Sequence, residues 1–139
     1  MLPQPHGPHP QKTPGRHRLL LVDDEESILF AMREYFMTYG YDVDCACELE
    51  EAEALVVKHR YDVVVADLRL TGIYGAEGLE LVGLIKERAP RTHVILLTAY
   101  GSPEIEMEAR RLGVASFLHK PKPLPDVAQI VFGLLGRVS

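Results

Sequence analysis

Leu19-Leu20-Leu21-Val22-Asp23-Asp24-Glu25 is the stretch that decides the fold of this chain. A short run of leucine and valine stops at two carboxylates. Val63-Val64-Val65-Ala66-Asp67 repeats the pattern. Runs this short and this uniformly apolar mark strands buried on both faces, as in a parallel sheet. In an open parallel sheet, ligands bind just beyond the carboxyl ends of the strands. If the two strands are neighbours, Asp23, Asp24 and Asp67 converge on one small volume. Crowded carboxylates repel unless a proton or a cation intervenes. A divalent cation is the simplest answer, and an all-oxygen set suits Mg²⁺.

Outward from these strands, apolar runs alternate with helical periodicity. Residues 27–38 predict a helix with Ile28, Ala31, Met32, Tyr35 and Phe36 on one apolar face, closed by Gly40. Residues 41–46 alternate and predict a less buried strand near an edge. Residues 49–59 predict a helix facing inward through Leu49, Ala52, Leu55 and Val56. Glycines make 71–75 a loop. Residues 77–88 are helical, 93–97 a strand, and Ser102-Pro103 opens a helix that ends near Leu112-Gly113. Residues 115–118 form a fifth strand and 126–135 a last helix. Five strands alternating with five helices predict an α/β fold with a doubly wound parallel sheet and helices on both faces.

The bulk composition is that of one ordinary domain. The chain has 139 residues, 47% hydrophobic and 25% charged, with a formal net charge of −5. Acidity argues against the domain gripping nucleic acid through a basic face. No apolar stretch approaches the ~20 residues of a membrane span. Residues 1–17 carry Pro3, Pro5, Pro8, Pro10 and Pro14 with three histidines, and are expected to be a flexible tail ahead of a domain at 18–139. They lack the apolar centre of a signal peptide, which points to the cytoplasm. Cys45 and Cys47 would point to one side of a strand. Without third and fourth ligands a zinc site is not expected, and small apolar fillers in a reducing compartment are the simpler account.

Four strand ends carry polar residues: Asp23-Asp24, Asp67, Thr98, and Lys120-Pro121 after the fifth strand. Singly, each is an ordinary cap, turn or surface residue. Together they fall on the one sheet edge where such folds bind ligands. A carboxylate can act as nucleophile toward phosphorus. A hard cation neutralises phosphoryl oxygens, and a hydroxyl and an ammonium can hold those that remain.

With these residues in view, the chain resembles the receiver domain of a two-component response regulator over residues 18–135. The likeness rests on Leu-Val-Asp23-Asp24-Glu25, Val-Ala-Asp67-Leu-Arg-Leu, Leu-Leu-Thr98-Ala99 and Phe117-Leu-His-Lys120-Pro121. It implies a flavodoxin-like sheet in the order 2-1-3-4-5. It implies phosphorylation of Asp67 by a histidine kinase or a phosphotransfer protein. Mg²⁺, or Mn²⁺ in its stead, would be held by Asp24, Asp67 and the backbone carbonyl of Arg69, with Asp23 acting through water. Thr98 and Lys120 would take phosphoryl oxygens, Phe117 would be the switch aromatic, and Lys120-Pro121 would be a cis peptide. The output would be a changed α4-β5-α5 surface that binds a downstream protein or effector domain, or a phosphorylation-dependent homodimer. Neither nucleic acid nor membrane is an expected direct partner. No second domain follows the last helix, so the chain is expected to be a stand-alone receiver or part of a longer regulator.

Several residues depart from the family pattern. Thr71 stands where a proline is common, and Ile73-Tyr74-Gly75-Ala76 intervenes before Glu77-Gly78. Phe117 lacks a tyrosine's hydroxyl. Arg69 and Tyr100 are bulky at positions that flank the path of attacking water, which predicts slow self-dephosphorylation. Two other functions compete. A Mg²⁺-dependent phosphatase of the haloacid-dehalogenase type would need Asp-x-Asp on the first strand, where this chain has Asp23-Asp24-Glu25. Arg69, two residues past Asp67, cannot protonate a leaving group. A pseudo-receiver that binds partners without phosphorylation is at odds with the intact acidic triad, Thr98 and Lys120.

Overall fold

The computed structural model describes residues 16–67, 76–99 and 102–136. The expected tail through residue 15, Arg69, the 71–75 loop and Tyr100 lie outside them. The described chain runs β1 Arg18–Val22, α1 Glu26–Thr38, β2 Asp42–Ala46, α2 Leu49–Lys58, β3 Val63–Asp67, α3 Ala76–Arg88, β4 His93–Thr98, α4 Pro103–Leu112, β5 Ser116–His119 and α5 Leu124–Leu135. All strands pair in parallel, in the order β2-β1-β3-β4-β5. The two apolar runs first singled out are β1 and β3. They are neighbours, and Val22 pairs with Ala66 as the last apolar register before the acids.

Side chains alternate across each strand, so the sheet carries two cores. Leu20, Val22, Val64 and Leu96 pack on one face with Ala52 and Leu55 of α2, Leu81 and Ile85 of α3, and Ala109 of α4. Leu19, Leu21, Val63, Val65 and Ile95 pack on the other with Leu29, Met32 and Phe36 of α1 and Val127, Val131 and Phe132 of α5. All five residues of β1 and of β3 are buried, as a central position demands. β2 is an edge strand and is only partly buried.

Several element boundaries and one helix face differ from expectation. The α1 stripe is Leu29, Met32 and Phe36, with Ile28 and Tyr35 on its flank, while Ala31 is exposed. Periodicity gives a helix an apolar arc but not the few tens of degrees that separate its centre from its rim. α5 starts at Leu124, two residues early, because Pro125 fits a first turn in which no amide hydrogen bond is needed. β3 and β4 run on to include Asp67 and Thr98. At α4 the expected caps are in place: the Ser102 side chain accepts from the Ile105 N–H at 3.2 Å, and Gly113 closes the helix at φ 98°. That left-handed φ suits glycine.

At the opposite end of the sheet, Arg18 and Asp44 are buried at 3.4 Å from each other, and the Tyr61 hydroxyl donates to Asp44 at 2.6 Å. The Arg18 guanidinium also lies 5.6 Å from the Tyr61 ring centre. Burial, then the Asp44 hydrogen bond, pushes the Tyr61 phenol far above its ordinary range. A charge pair can be buried here because each partner has a second polar or aromatic contact.

Candidate phosphoryl-acceptor site

Each site residue sits where a buried strand ends. Asp23 follows β1, and its backbone N–H donates to the Ala46 carbonyl at the end of β2, at 3.1 Å. Its own Oδ1 accepts from the Glu25 N–H at 2.9 Å, which turns the chain into α1. Asp23 therefore shapes the helix entry, while Glu25 holds the N-cap position. Asp67 is the last residue of β3 and is fully buried. Thr98 ends β4 and is buried, and its carbonyl accepts from the Lys120 N–H at 2.7 Å. That bond fixes where the Lys120 side chain begins. Lys120-Pro121 is a cis peptide, as the resemblance implied.

From this anchor Lys120 reaches back over the sheet edge. Its ammonium is 2.8 Å from Asp67 Oδ2 and 3.5 Å from Asp23 Oδ2. Among the described residues, Asp23, Asp24 and Asp67 are the one group of three or more metal-ligand side chains whose donor atoms lie within 4.8 Å of one another. Asp23 and Asp67 are buried and Asp24 is exposed, so the cluster opens to solvent on the Asp24 side. Burial, first, raises the Asp23 carboxyl above its ordinary value, and the charges of Asp67 and Asp24 add to the rise. The Glu25 N–H and Lys120 act against it. Among the described residues, Lys120 faces two of the three carboxylates, Asp67 and Asp23. Three hard oxygen donors this close together are a donor set that fits a divalent cation of the Mg²⁺ or Ca²⁺ kind.

Phe117 is buried on β5, in a T-shaped pair with the His119 ring at 5.6 Å between centroids. The sheet edge therefore brings together Asp23, Asp24, Asp67, Thr98 and Lys120, with Phe117 further back along β5. Arg69 lies outside the described residues. A feature that sequence reasoning missed lies beside the cluster. A groove of about 500 Å³ opens between α1 and the segment linking β5 to α5. Ile28, Met32, Leu97, Leu124 and Val127 give it an apolar lining, and Asp23 and Lys120 stand at its charged end. The exposed Ala31 of α1 is part of that wall. A small residue on the rim of an apolar arc was its one trace in the sequence.

A five-stranded 2-1-3-4-5 sheet with an acidic cluster, a threonine and a lysine at its carboxyl edge defines a receiver-type signalling domain. The chain belongs to that family: the response regulator receiver domain model matches residues 19–132. It is 33% identical over 117 residues to the response regulator protein PilR of Pseudomonas aeruginosa, covering 84% of this chain and 26% of PilR. It is 31% identical over 114 residues to sporulation initiation phosphotransferase F of Bacillus subtilis, covering 82% of this chain and 90% of that protein. The chain thus spans about a quarter of one relative and most of the other. Among solved structures, a Burkholderia pseudomallei response regulator with a phosphorylated aspartic acid, a calcium ion and citrate superposes with a TM-score of 0.73. That match is 24% identical and covers 82% of this chain and 65% of the other, a likeness that speaks for the fold. No helix among the described residues is long and apolar enough to cross a membrane.

Proposed function

We propose that Asp67 accepts a phosphoryl group from a phosphohistidine on a histidine kinase or a phosphotransfer protein. The observation that carries this reading is the buried Asp67 carboxylate held 2.8 Å from Lys120 beside two further carboxylates. Asp67 supplies the attacking oxygen. The bond from the donor nitrogen to phosphorus breaks as the bond from the carboxylate oxygen forms. Lys120 turns from the carboxylate toward a phosphoryl oxygen, and the Thr98 hydroxyl takes another. Asp24 and Asp67 would hold Mg²⁺ directly and Asp23 through water, and the ion would supply charge neutralisation for the incoming phosphoryl oxygens. The donor protein would approach across the apolar groove between α1 and the β5–α5 segment, which opens onto Lys120 and Asp23.

The output is a change of the α4-β5-α5 surface, transmitted through Thr98 and Phe117 to a downstream protein, an effector domain or a second copy of the chain. α4 supports a role in recognition: Met107 is 71% exposed among the surface pairs Glu106–Arg110 and Glu108–Arg111. The site works in the cytoplasm, where such kinases and Mg²⁺ are at hand.

Acetyl phosphate with Mg²⁺ tests the reading without a kinase. Wild-type protein should take up one phosphoryl group per chain, and Asp67→Asn none. Uptake by the variant at wild-type stoichiometry would refute Asp67 as the acceptor.

A further inference from the structure

Cys45 and Cys47 have no part in the phosphoryl site. Cys45 lies on β2 and Cys47 just past its end, both against the core on the α1 side of the sheet, and together they line one open depression of about 260 Å³ with Glu26, Phe30, Arg33 and Glu51. Both are free thiols and both are half-buried. Glu51, in the first turn of α2, reaches back to this corner. Its Oε1 accepts from the Cys47 N–H at 3.1 Å and lies 3.8 Å from the Cys47 sulfur.

The spacing of the two thiols restricts what they can do. Cys47 lies one residue past the end of β2, and in extended chain residues two apart are separated by about 6.6 Å. A disulfide needs Cβ atoms about 3.5–4.5 Å apart, so pairing would distort the end of β2. A metal ion between two sulfurs spans more: two bonds of about 2.3 Å place the sulfurs roughly 4.6 Å apart. Two thiolates without further ligands do not make a tetrahedral zinc site. They do suit a soft monovalent cation, for which thiolate is the preferred ligand.

We propose that Cys45 and Cys47 form a two-coordinate site for a thiophilic monovalent cation, Cu⁺ being the type. Binding replaces two S–H bonds by two S–Cu bonds and releases two protons, with no change of oxidation state. The product carries one net negative charge, and Arg33 on the depression wall faces it. The Glu51 carboxylate is positioned to take the Cys47 proton on its way to solvent. Both thiols are held protonated in the free protein. Burial, first, pushes Cys45 up to about 11, and burial followed by Glu51, Glu48 and Glu26 raises Cys47. Arg33 opposes the rise at Cys45, and Asp44 adds to it. Because both protons must leave, apparent affinity should rise with pH.

The test is anaerobic titration of the full chain with Cu⁺ held in a competing chelator, followed by thiol alkylation and mass spectrometry. The expected result is one tightly held ion, both thiols protected from alkylation, an ultraviolet thiolate-to-metal band, and the stated pH dependence. Cys45→Ser/Cys47→Ser should lose the band and the tight ion, which also separates this site from the histidines of residues 1–17. Full alkylation of wild-type thiols in the presence of one equivalent of Cu⁺ would overturn the proposal. That readout needs no variant to fold. Retention of wild-type affinity by the double variant would overturn it as well.

Discussion

The Lys120 ammonium sits 2.8 Å from Asp67 and 3.5 Å from Asp23, and its own backbone N–H is bonded to the carbonyl of Thr98. One residue on the segment after β5 thereby ties the ends of β1, β3 and β4 together. Removing its charge leaves two buried carboxylates facing each other. Lys120→Met should raise the Asp23 carboxyl further, because one of the two influences that hold it down is gone. Carboxyl-carbon NMR titration of Asp23 in wild type and variant checks this. An unchanged or lowered midpoint would contradict it.

The raised Asp23 carboxyl has a sign in stability. Its folded value lies above its unfolded one, so the native state holds the proton over a pH window where the unfolded chain has lost it. Without divalent cations, the Asp23 contribution should fall as pH rises from the ordinary carboxylate value, 3.8, through the raised one, and stay unfavourable above it. Asp23→Asn should remove that fall and be more stable than wild type near neutrality. Urea unfolding at a series of pH values in a chelating buffer measures both.

A cation that binds the folded cluster stabilises it by mass action, by about 2.7 kcal/mol at a hundred times its dissociation constant. Wild-type protein should therefore melt higher in Mg²⁺ than in chelator. Asp24→Asn should abolish most of that shift with little cost in chelator, because Asp24 is exposed. Thermal melts of the two proteins, with and without Mg²⁺, are sufficient.

Tyr61→Phe offers a control remote from the site. It removes the 2.6 Å hydrogen bond to buried Asp44, which should cost about 1–3 kcal/mol of stability. Uptake of a phosphoryl group per folded chain should be unchanged. A loss of phosphorylation in fully folded variant would show that the polar network at the opposite end of the sheet and the acidic edge are coupled.

The strands and the site were readable because both are local signals. A buried parallel strand is a continuous apolar run, and a site at its carboxyl end is the next polar residue. Asp23, Asp24, Asp67 and Thr98 announce themselves this way, and Lys120 follows one residue later, behind His119. The Arg18–Asp44–Tyr61 network did not, since it joins three segments that only the folded sheet brings together. Asp44 reads as one more polar residue on an alternating edge strand. Glu51 likewise reads as a solvated helix residue until the β2–α2 turn brings it onto Cys47. The groove beside Lys120 depended on Ala31 being at the rim of α1, a rotation too fine for periodicity to resolve.

The most direct measurement locates the phosphoryl group itself. Protein phosphorylated by acetyl phosphate with Mg²⁺ is reduced with borohydride, which converts an aspartyl phosphate to homoserine, and the peptides are then sequenced by mass spectrometry. Homoserine should appear at residue 67 alone. Homoserine at Asp23 or Asp24, or its absence from a protein that has taken up phosphate, would contradict the account.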